Sequence, residues 1–309
     1  MGLTTILGAG GTIANGLAGI LAADKRPLRL VSRNPKPMSE AELMAADLSD
    51  REQTIRAVAG SEVVHLLAGL KYDTAVWRET WPRIMGNVIE ACKRAQAKLL
   101  FFDNVYMYGR VAGPMTEQTP YNPCSKKGEI RAHIATMLMD EVKAGSLQGM
   151  IARAPDFYGP DTPNSVGNVL VFGPLAKGSA ASCMVNADVP HSVIYTPDAA
   201  RGVALLADRA SAWNQVWHLP TVADPPTGRQ FIEAAAKELG VAPKFRVLSP
   251  LMLKVFGWFN PQVGEMYEML YQNDSPYLFD SSKFAREFGF GGTPYAEGIK
   301  ATAASYKKA

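Results

Sequence analysis

The chain has 309 residues, 47% of them apolar and 20% charged, with a net charge of +3. That length suits a large domain with a smaller companion, and the absence of any run of Lys and Arg points away from nucleic acid. The spacing of Cys92, Cys124 and Cys183 fits neither a metal site nor a disulfide framework, no apolar stretch reaches the roughly 18 residues of a membrane span, and no charged segment precedes Leu3 as in a signal peptide. The expectation is a cytoplasmic protein with no metal and no membrane partner.

In chain order, Leu3–Leu7 is a short apolar run ending at Gly8, Thr12–Ala23 has helical composition, and Leu28–Ser32 is apolar again. Glu42–Ala46 reads as a weak strand, Arg51–Ala59 as a helix with Ile55, Val58 and Ala59 on one side, and Val63–Leu67 as another strand. Trp77, Trp81, Ile84, Met85, Val88, Ile89 and Cys92 recur at helical spacing, with Pro82 expected in the first turn or at a kink. Leu99–Phe102 reads as a strand, Ser125–Lys143 as a helix and Met150–Ala152 as a strand. Strands alternating with helices argue for a parallel sheet covered on both faces, which right-handed crossovers make a doubly wound α/β fold. Beyond Ala154, Pro and Gly become frequent as far as Pro197. Helices are then expected at Ala199–Ala207 and Gln230–Leu239, with a strand at Val216–Leu219. Leu251–Tyr271 is rich in Met and aromatics around Pro261, and reads either as the lining of an apolar pocket or as the packing of small helices.

Gly8-Ala9-Gly10-Gly11-Thr12-Ile13-Ala14 follows the first strand and opens the first helix. That context is the one a dinucleotide site needs: glycines let the backbone approach a diphosphate, and the helix start supplies free N–H groups and partial positive charge. Gly8, Gly10, Gly11, Thr12 and Ile13 are the candidate phosphate-binding residues. An NAD site places an acid at the end of the second strand, but here that strand ends Val31-Ser32-Arg33-Asn34. Arg33 can stack on adenine and pair with a 2′-phosphate, with Lys36 beside it, which favours NADP over NAD.

Further motifs follow in order: Asp47-Leu48-Ser49-Asp50, Val64-His65-Leu66-Leu67-Ala68-Gly69, Tyr106-Met107-Tyr108-Gly109, Arg153-Ala154-Pro155, Phe157-Tyr158-Gly159-Pro160, Tyr195-Thr196-Pro197-Asp198, and Phe279-Asp280-Ser281-Ser282-Lys283 before Phe288-Gly289-Phe290. Together with the glycine motif, their order and spacing resemble the extended and atypical short-chain dehydrogenase/reductases, often grouped as NAD-dependent epimerase/dehydratases. The resemblance implies a Rossmann-type domain over 1–155 with a return at about 192–222, and a smaller substrate domain from 156–191 and 223–309. It adds Asp47, Leu48, Leu67, Ala68, Gly69, Ala154 and Pro155 to the cofactor-binding set. It also implies a homodimer, with Trp77 and Trp81 in a helix interface, and a structural rather than catalytic role for His65.

Family members carry a Ser or Thr, a Tyr, and a Lys four residues after the Tyr. Here Pro123-Cys124-Ser125-Lys126-Lys127-Gly128-Glu129-Ile130-Arg131 puts Lys127 at the Tyr position and Arg131 at the Lys position, while Asn104 takes the Ser position. Lys127-Gly128-Glu129-Ile130-Arg131 is similar to the K-x-x-[IV]-R of isoflavone reductase-like members, which implies that Lys127 handles the proton and also touches the cofactor. Asn104 would then bond the substrate, Arg131 would hold the nicotinamide ribose, and Tyr106 would be a reserve acid. Leu70, Tyr72, Tyr106, Phe157, Tyr158 and His191 are the substrate candidates, with Met184, Met266 and Tyr267 near them. The expected activity is NADPH-dependent reduction of a small carbonyl or enone. Two other readings stay open: a catalytically inactive NAD(P)-binding sensor, and a sugar-nucleotide epimerase or dehydratase using tightly held NAD.

Overall fold

A computed structural model describes residues 2–38 and 40–307. The chain forms two compact units: Met1–Met107, Lys126–Arg153 and Ala199–Leu219 make the first, and Tyr108–Ser125, Ala154–Asp198 and Pro220–Ala309 the second.

The first unit opens with β1 (Leu3–Leu7), α1 (Thr12–Ala23), β2 (Leu28–Ser32), β3 (Glu42–Ala45), α2 (Arg51–Val58), β4 (Ser61–Leu66), α3 (Thr74–Ala95), β5 (Lys98–Asp103), α4 (Lys126–Lys143) and β6 (Gly149–Arg153). The chain then supplies β7 (Asp156–Tyr158), α5 (Gly173–Ala176), β8 (Ala181–Met184) and β9 (Val193–Tyr195) to the second unit. After α6 (Thr196–Asp208), β10 (Val216–His218) completes the first sheet. The second unit ends with α7 (Gly228–Leu239), β11 (Phe245–Leu248), α8 (Pro250–Phe259), α9 (Pro261–Tyr267), α10 (Ser282–Phe288) and α11 (Tyr295–Lys307).

Seven parallel strands of the first unit lie in the order β10-β6-β5-β4-β1-β2-β3. The expected doubly wound sheet is therefore what the chain forms. A parallel sheet is covered on both faces, so its strands are continuous apolar runs. All five residues of β6 are buried, as are four of the five in β1. The strand order reverses between β1 and β4, and the crevice beyond the strand ends at such a point is where ligands of open α/β sheets bind.

Local chemistry sets the helix limits. Asp73 caps α3 by accepting from the amides of Ala75 and Val76, so the helix starts at Thr74. Pro82 therefore sits well inside α3, not in its first turn, and leaves the Arg78 carbonyl without the helical N–H it would have received. Asp50 caps α2 through the Gln53 amide. The buried residues of α2 are Thr54, Ala57 and Val58; Ala59 is exposed and lies past the helix end, because Gly60 turns the chain at φ +74°. Trp77 and Trp81 are buried in the first unit's own core, against Tyr72, Tyr106 and Phe101, which replaces the interface role expected of them.

In the second unit, Tyr158, Phe172, Phe231, Ile232, Ile299 and Ala303 form a core. The Met and aromatic segment packs in part: Leu253, Met269, Leu270 and Tyr271 are buried, with Leu253 and Leu270 clustered on Met184. Leu251, Met252, Val255, Phe256, Trp258, Phe259 and Tyr267 are exposed, and only Leu253 of α8 is buried. Among the described residues no helix is long and apolar enough to cross a membrane.

Candidate cofactor and active site

The β1–α1 turn is built from three glycines with different reasons to be there. Gly8 has φ +98°, and a Cβ on it would lie 2.5 Å from the backbone N and Cα of Ala68. Its amide donates to the Val31 carbonyl, and the Leu67 amide donates to the Leu7 carbonyl, so the turn and the Leu67-Ala68-Gly69 loop close on each other at the switch point. Gly10 has φ +100°, yet a Cβ there would meet nothing within 4 Å. Gly10 therefore lines open space. Gly11 is the N-cap of α1 and gives no side-chain hydrogen bond to the helix, so Thr12 and Ile13 begin a helix whose first turn has no side-chain cap. Ala14 is buried, as close helix–strand packing requires. An uncapped helix start behind a glycine turn is a cradle for a diphosphate, and the residues present fit a dinucleotide.

Arg33 follows β2 and is exposed. Asp47 is exposed too; hydrogen bonds from the Ser49 amide and hydroxyl hold its carboxyl below the usual carboxylate range, with a smaller contribution from the Arg33 charge. Leu48 is buried, and its carbonyl accepts from Thr54 and Asn87. His65, the next-to-last residue of β4, is 1% exposed. Burial pushes its imidazole down to about 4, so it stands as a neutral core residue. Ala154 and Pro155 are also buried.

Lys127 and Arg131 lie one turn apart on the same face of α4, but they do different things. Lys127 is fully buried, which excludes a solvated helix charge. Its Nζ donates to the Thr74 hydroxyl at 2.8 Å and sits 4.6 Å from the centre of the Tyr72 ring. Arg131 does not reach for a ribose. Its Nε donates to Asp103 Oδ1 at 2.7 Å, its Nη2 donates to the same oxygen, and its guanidinium lies 4.7 Å from the Trp81 ring and 5.0 Å from the Phe101 ring. Arg153 Nε is 3.6 Å from Asp103 Oδ2, and neither of those side chains is exposed. The role implied for Arg131 is corrected accordingly: in this dry setting its guanidinium answers the carboxylate at the end of β5.

The Asp103 carboxylate also accepts from the Asn104 amide, and the Asn104 side chain accepts from the Tyr106 amide at 3.1 Å. Asn104 thus shapes the turn after β5, with Tyr106 stacked on Trp77 at 6.5 Å. Leu70, Tyr72 and Tyr106 are half-buried in the first unit. Of the substrate candidates in the second unit, Tyr158 is a core residue, 1% exposed, packed among Tyr195, Phe231 and Tyr295. Burial raises its phenol far above the ordinary range, and the ring has almost no surface left to offer a substrate. Phe157 is half-buried. His191 lines a cavity and pairs with Asp156, its Nε2 2.9 Å from Asp156 Oδ2.

Sequence reasoning missed Asp103, Thr74 and Asp156, and took Arg153 only as part of a motif. For Asp103 and Arg153 a signal was present: a charged residue closing a strand after an apolar run, in Lys98–Asp103 and in Gly149–Arg153.

The chain is 26% identical over 247 residues to the protein y4nL of Sinorhizobium fredii, covering 77% of this chain and 67% of that one. Among solved structures it is similar to the Thermus thermophilus UDP-glucose 4-epimerase complex with NAD (TM-score 0.81, 17% identity, 99% of each chain). It is also similar to the dTDP-glucose 4,6-dehydratase DesIV of Streptomyces venezuelae (TM-score 0.81, 16% identity, 99% of this chain and 97% of that one). The UDP-glucuronic acid 4-epimerase of Bacillus cereus matches as well (TM-score 0.79, 15% identity, 99% of each chain). At these identities the likeness is one of fold. Residues 4–217 match the NAD dependent epimerase/dehydratase family, and the chain belongs to that family.

Proposed function

We propose that the protein is a nicotinamide-nucleotide-dependent oxidoreductase that uses NADPH to reduce a small carbonyl or enone. The observation that carries this reading is the glycine turn at the switch point, with open space at Gly10 and an uncapped α1 behind it. The cofactor's phosphates would lie on the α1 amides. Arg33 supplies a cation where an NAD site would carry an acid, which supports NADPH. The Thermus thermophilus epimerase and the DesIV dehydratase structures, both with NAD, support a nicotinamide nucleotide in general.

The bound nucleotide supplies hydride. The chain supplies a proton at Lys127 Nζ, held between the Thr74 hydroxyl and the Tyr72 ring. Because the side chain has no exposed surface, a substrate oxygen would reach Nζ by taking the place of the Thr74 hydroxyl or the Tyr72 ring. Arg131 and Asp103 act indirectly, fixing α4 against the end of β5 and thereby placing Lys127 and the Asn104–Tyr106 turn. A homodimer in the cytoplasm completes the reading. A cofactor-binding sensor is the second reading, favoured by the complete burial of Lys127.

The test is calorimetry with NADPH and NADH, followed by NADPH oxidation over a carbonyl panel with wild type and Lys127→Ala. Tight NADPH binding with turnover that Lys127→Ala abolishes is expected. Turnover that survives the substitution refutes the site, and binding without turnover on any substrate favours the sensor.

A further inference from the structure

The second unit contains a cavity of about 90 Å³ whose lining includes Asp156, Val171, Cys183, His191, Phe231 and Ile232. By the volume a single water occupies, it has room for roughly six to nine non-hydrogen atoms. Most of the wall is apolar. Its titratable groups are the Asp156–His191 pair, with side chains 19% and 17% exposed, and the Cys183 thiol. Burial pushes that thiol up to about 11, so it stays protonated. Among the described residues lining the cavity there is no Lys or Arg. Two cations stand close by and are already engaged: Arg229, whose charge acts on Cys183, pairs with Asp188 at 2.7 Å, and Arg246 donates to Ser182 at 3.4 Å and lines an adjoining surface groove.

The pair has a defined orientation. His191 stacks on Tyr277 at 4.9 Å, which fixes the plane of its ring. With Nε2–H donated to the Asp156 carboxylate, Nδ1 of the neutral ring is left as an acceptor, and among the described residues nothing takes it up. An acceptor in an apolar cavity calls for a ligand hydroxyl, and the protonated ring would instead donate to a carbonyl. A diphosphate has no place here: its charges would enter an apolar wall with no cation in its lining and with a carboxylate already present.

We propose that this cavity seats a compact, uncharged part of the substrate on His191, oriented by Asp156, through a hydroxyl or carbonyl other than the one that is reduced, and that it excludes nucleoside diphosphates. The inference rests on the reading of the protein as a reductase of a small carbonyl compound. It separates this chain from the UDP- and dTDP-sugar enzymes whose fold it shares.

The test is a methyl-labelled NMR titration of the full chain with cyclohexanol, and separately with UDP and with pyrophosphate. The Val166, Val171, Val193 and Ile232 methyls report on the cavity. Cyclohexanol should shift them, while UDP and pyrophosphate leave them in place. His191→Phe keeps a ring for Tyr277 to stack on, and should weaken cyclohexanol at least fivefold with an unchanged melting temperature. Cavity methyls that move with UDP or pyrophosphate, that ignore cyclohexanol, or that respond to it equally in folded His191→Phe overturn the proposal. The titration needs no nicotinamide nucleotide. Failure here with NADPH turnover intact refutes the cavity assignment alone, and cyclohexanol binding without NADPH binding refutes the reductase.

Discussion

Gly8 and Gly10 share a positive φ and differ in what surrounds them, so alanine at each should produce opposite signatures. Either substitution forces an L residue into the left-handed half of the map, at a cost of about 1 kcal/mol. For Gly10→Ala that is the whole penalty to the fold, since the new methyl meets nothing within 4 Å. For Gly8→Ala the methyl would lie 2.5 Å from the Ala68 N and Cα and 2.7 Å from the Leu67 carbonyl carbon. These are backbone atoms at the end of β4 and cannot swing aside, so overpacking adds about 1–3 kcal/mol. For a unit of this size each kcal/mol moves the melting temperature about 2–4 °C. Gly10→Ala should therefore lower it by about 2–4 °C and Gly8→Ala by about 4–16 °C. Binding should show the reverse contrast, because the Gly10 methyl fills the space assigned to the diphosphate: NADPH affinity by calorimetry should fall at least tenfold, or about 1.4 kcal/mol. Thermal melts without nucleotide, followed by titration well below the melting temperature, separate the two effects. Wild-type NADPH affinity in folded Gly10→Ala would refute the cradle, and an unchanged melting temperature in Gly8→Ala would refute the packing argument.

Three further outcomes follow from other parts of the first unit. Arg33→Ala should weaken NADPH about tenfold or more and leave NADH within about twofold, since one charge-assisted contact to a phosphate is at stake; equal losses for both nucleotides would remove Arg33 from cofactor choice. Asp103→Asn leaves Arg131 and Arg153 buried beside a neutral partner and should cost about 3–5 kcal/mol in urea unfolding, and a loss under 1 kcal/mol would show that solvent reaches the cluster. His65 has a folded value of about 4 against 6.5 when free, so the unfolded chain binds the extra proton first. Its contribution is complete above pH 6.5 and falls by about 3 kcal/mol as the pH drops to 4. Urea midpoints of wild type and His65→Leu at pH 7.5 and 4.5 should differ in slope accordingly, and parallel slopes would contradict a buried neutral His65.

The sheet of the first unit was readable because its strands are apolar runs between glycines, acids and amphipathic helices, a pattern set by covering both faces. The glycine turn was readable for the same reason: its signal is local. Where the reading slipped or stayed open, the deciding interaction was distant or lay in a cap. The sequence leaves Pro82 between a first turn and a kink, and it is the Asp73 cap, which begins α3 at Thr74, that puts it inside the helix. Arg131 was given a ribose because the family pattern places a cation there, whereas its partner Asp103 stands at the end of another strand. Tyr158 follows a half-buried Phe157 in a short strand, and strand alternation alone does not say which of two aromatics faces the core. The aromatic run through α8 reads as interior by composition, yet six of its apolar side chains lie on the surface.

The last strand of the large sheet arrives late in the sequence. Val216, Trp217 and His218 pair with Ile151, Ala152 and Arg153, but the ribosome makes the whole stretch from β7 to α6 in between. At translation speeds of about 5–20 residues per second, the Met150-Ile151-Ala152 border waits several seconds with its hydrogen-bonding groups unsatisfied. A nascent chain stalled in that interval, or a fragment cut just past Arg153, presents a sticky apolar margin to its neighbours. Shortened versions ending between β6 and β10 should accumulate as aggregates, while those reaching beyond Leu219 can close the sheet.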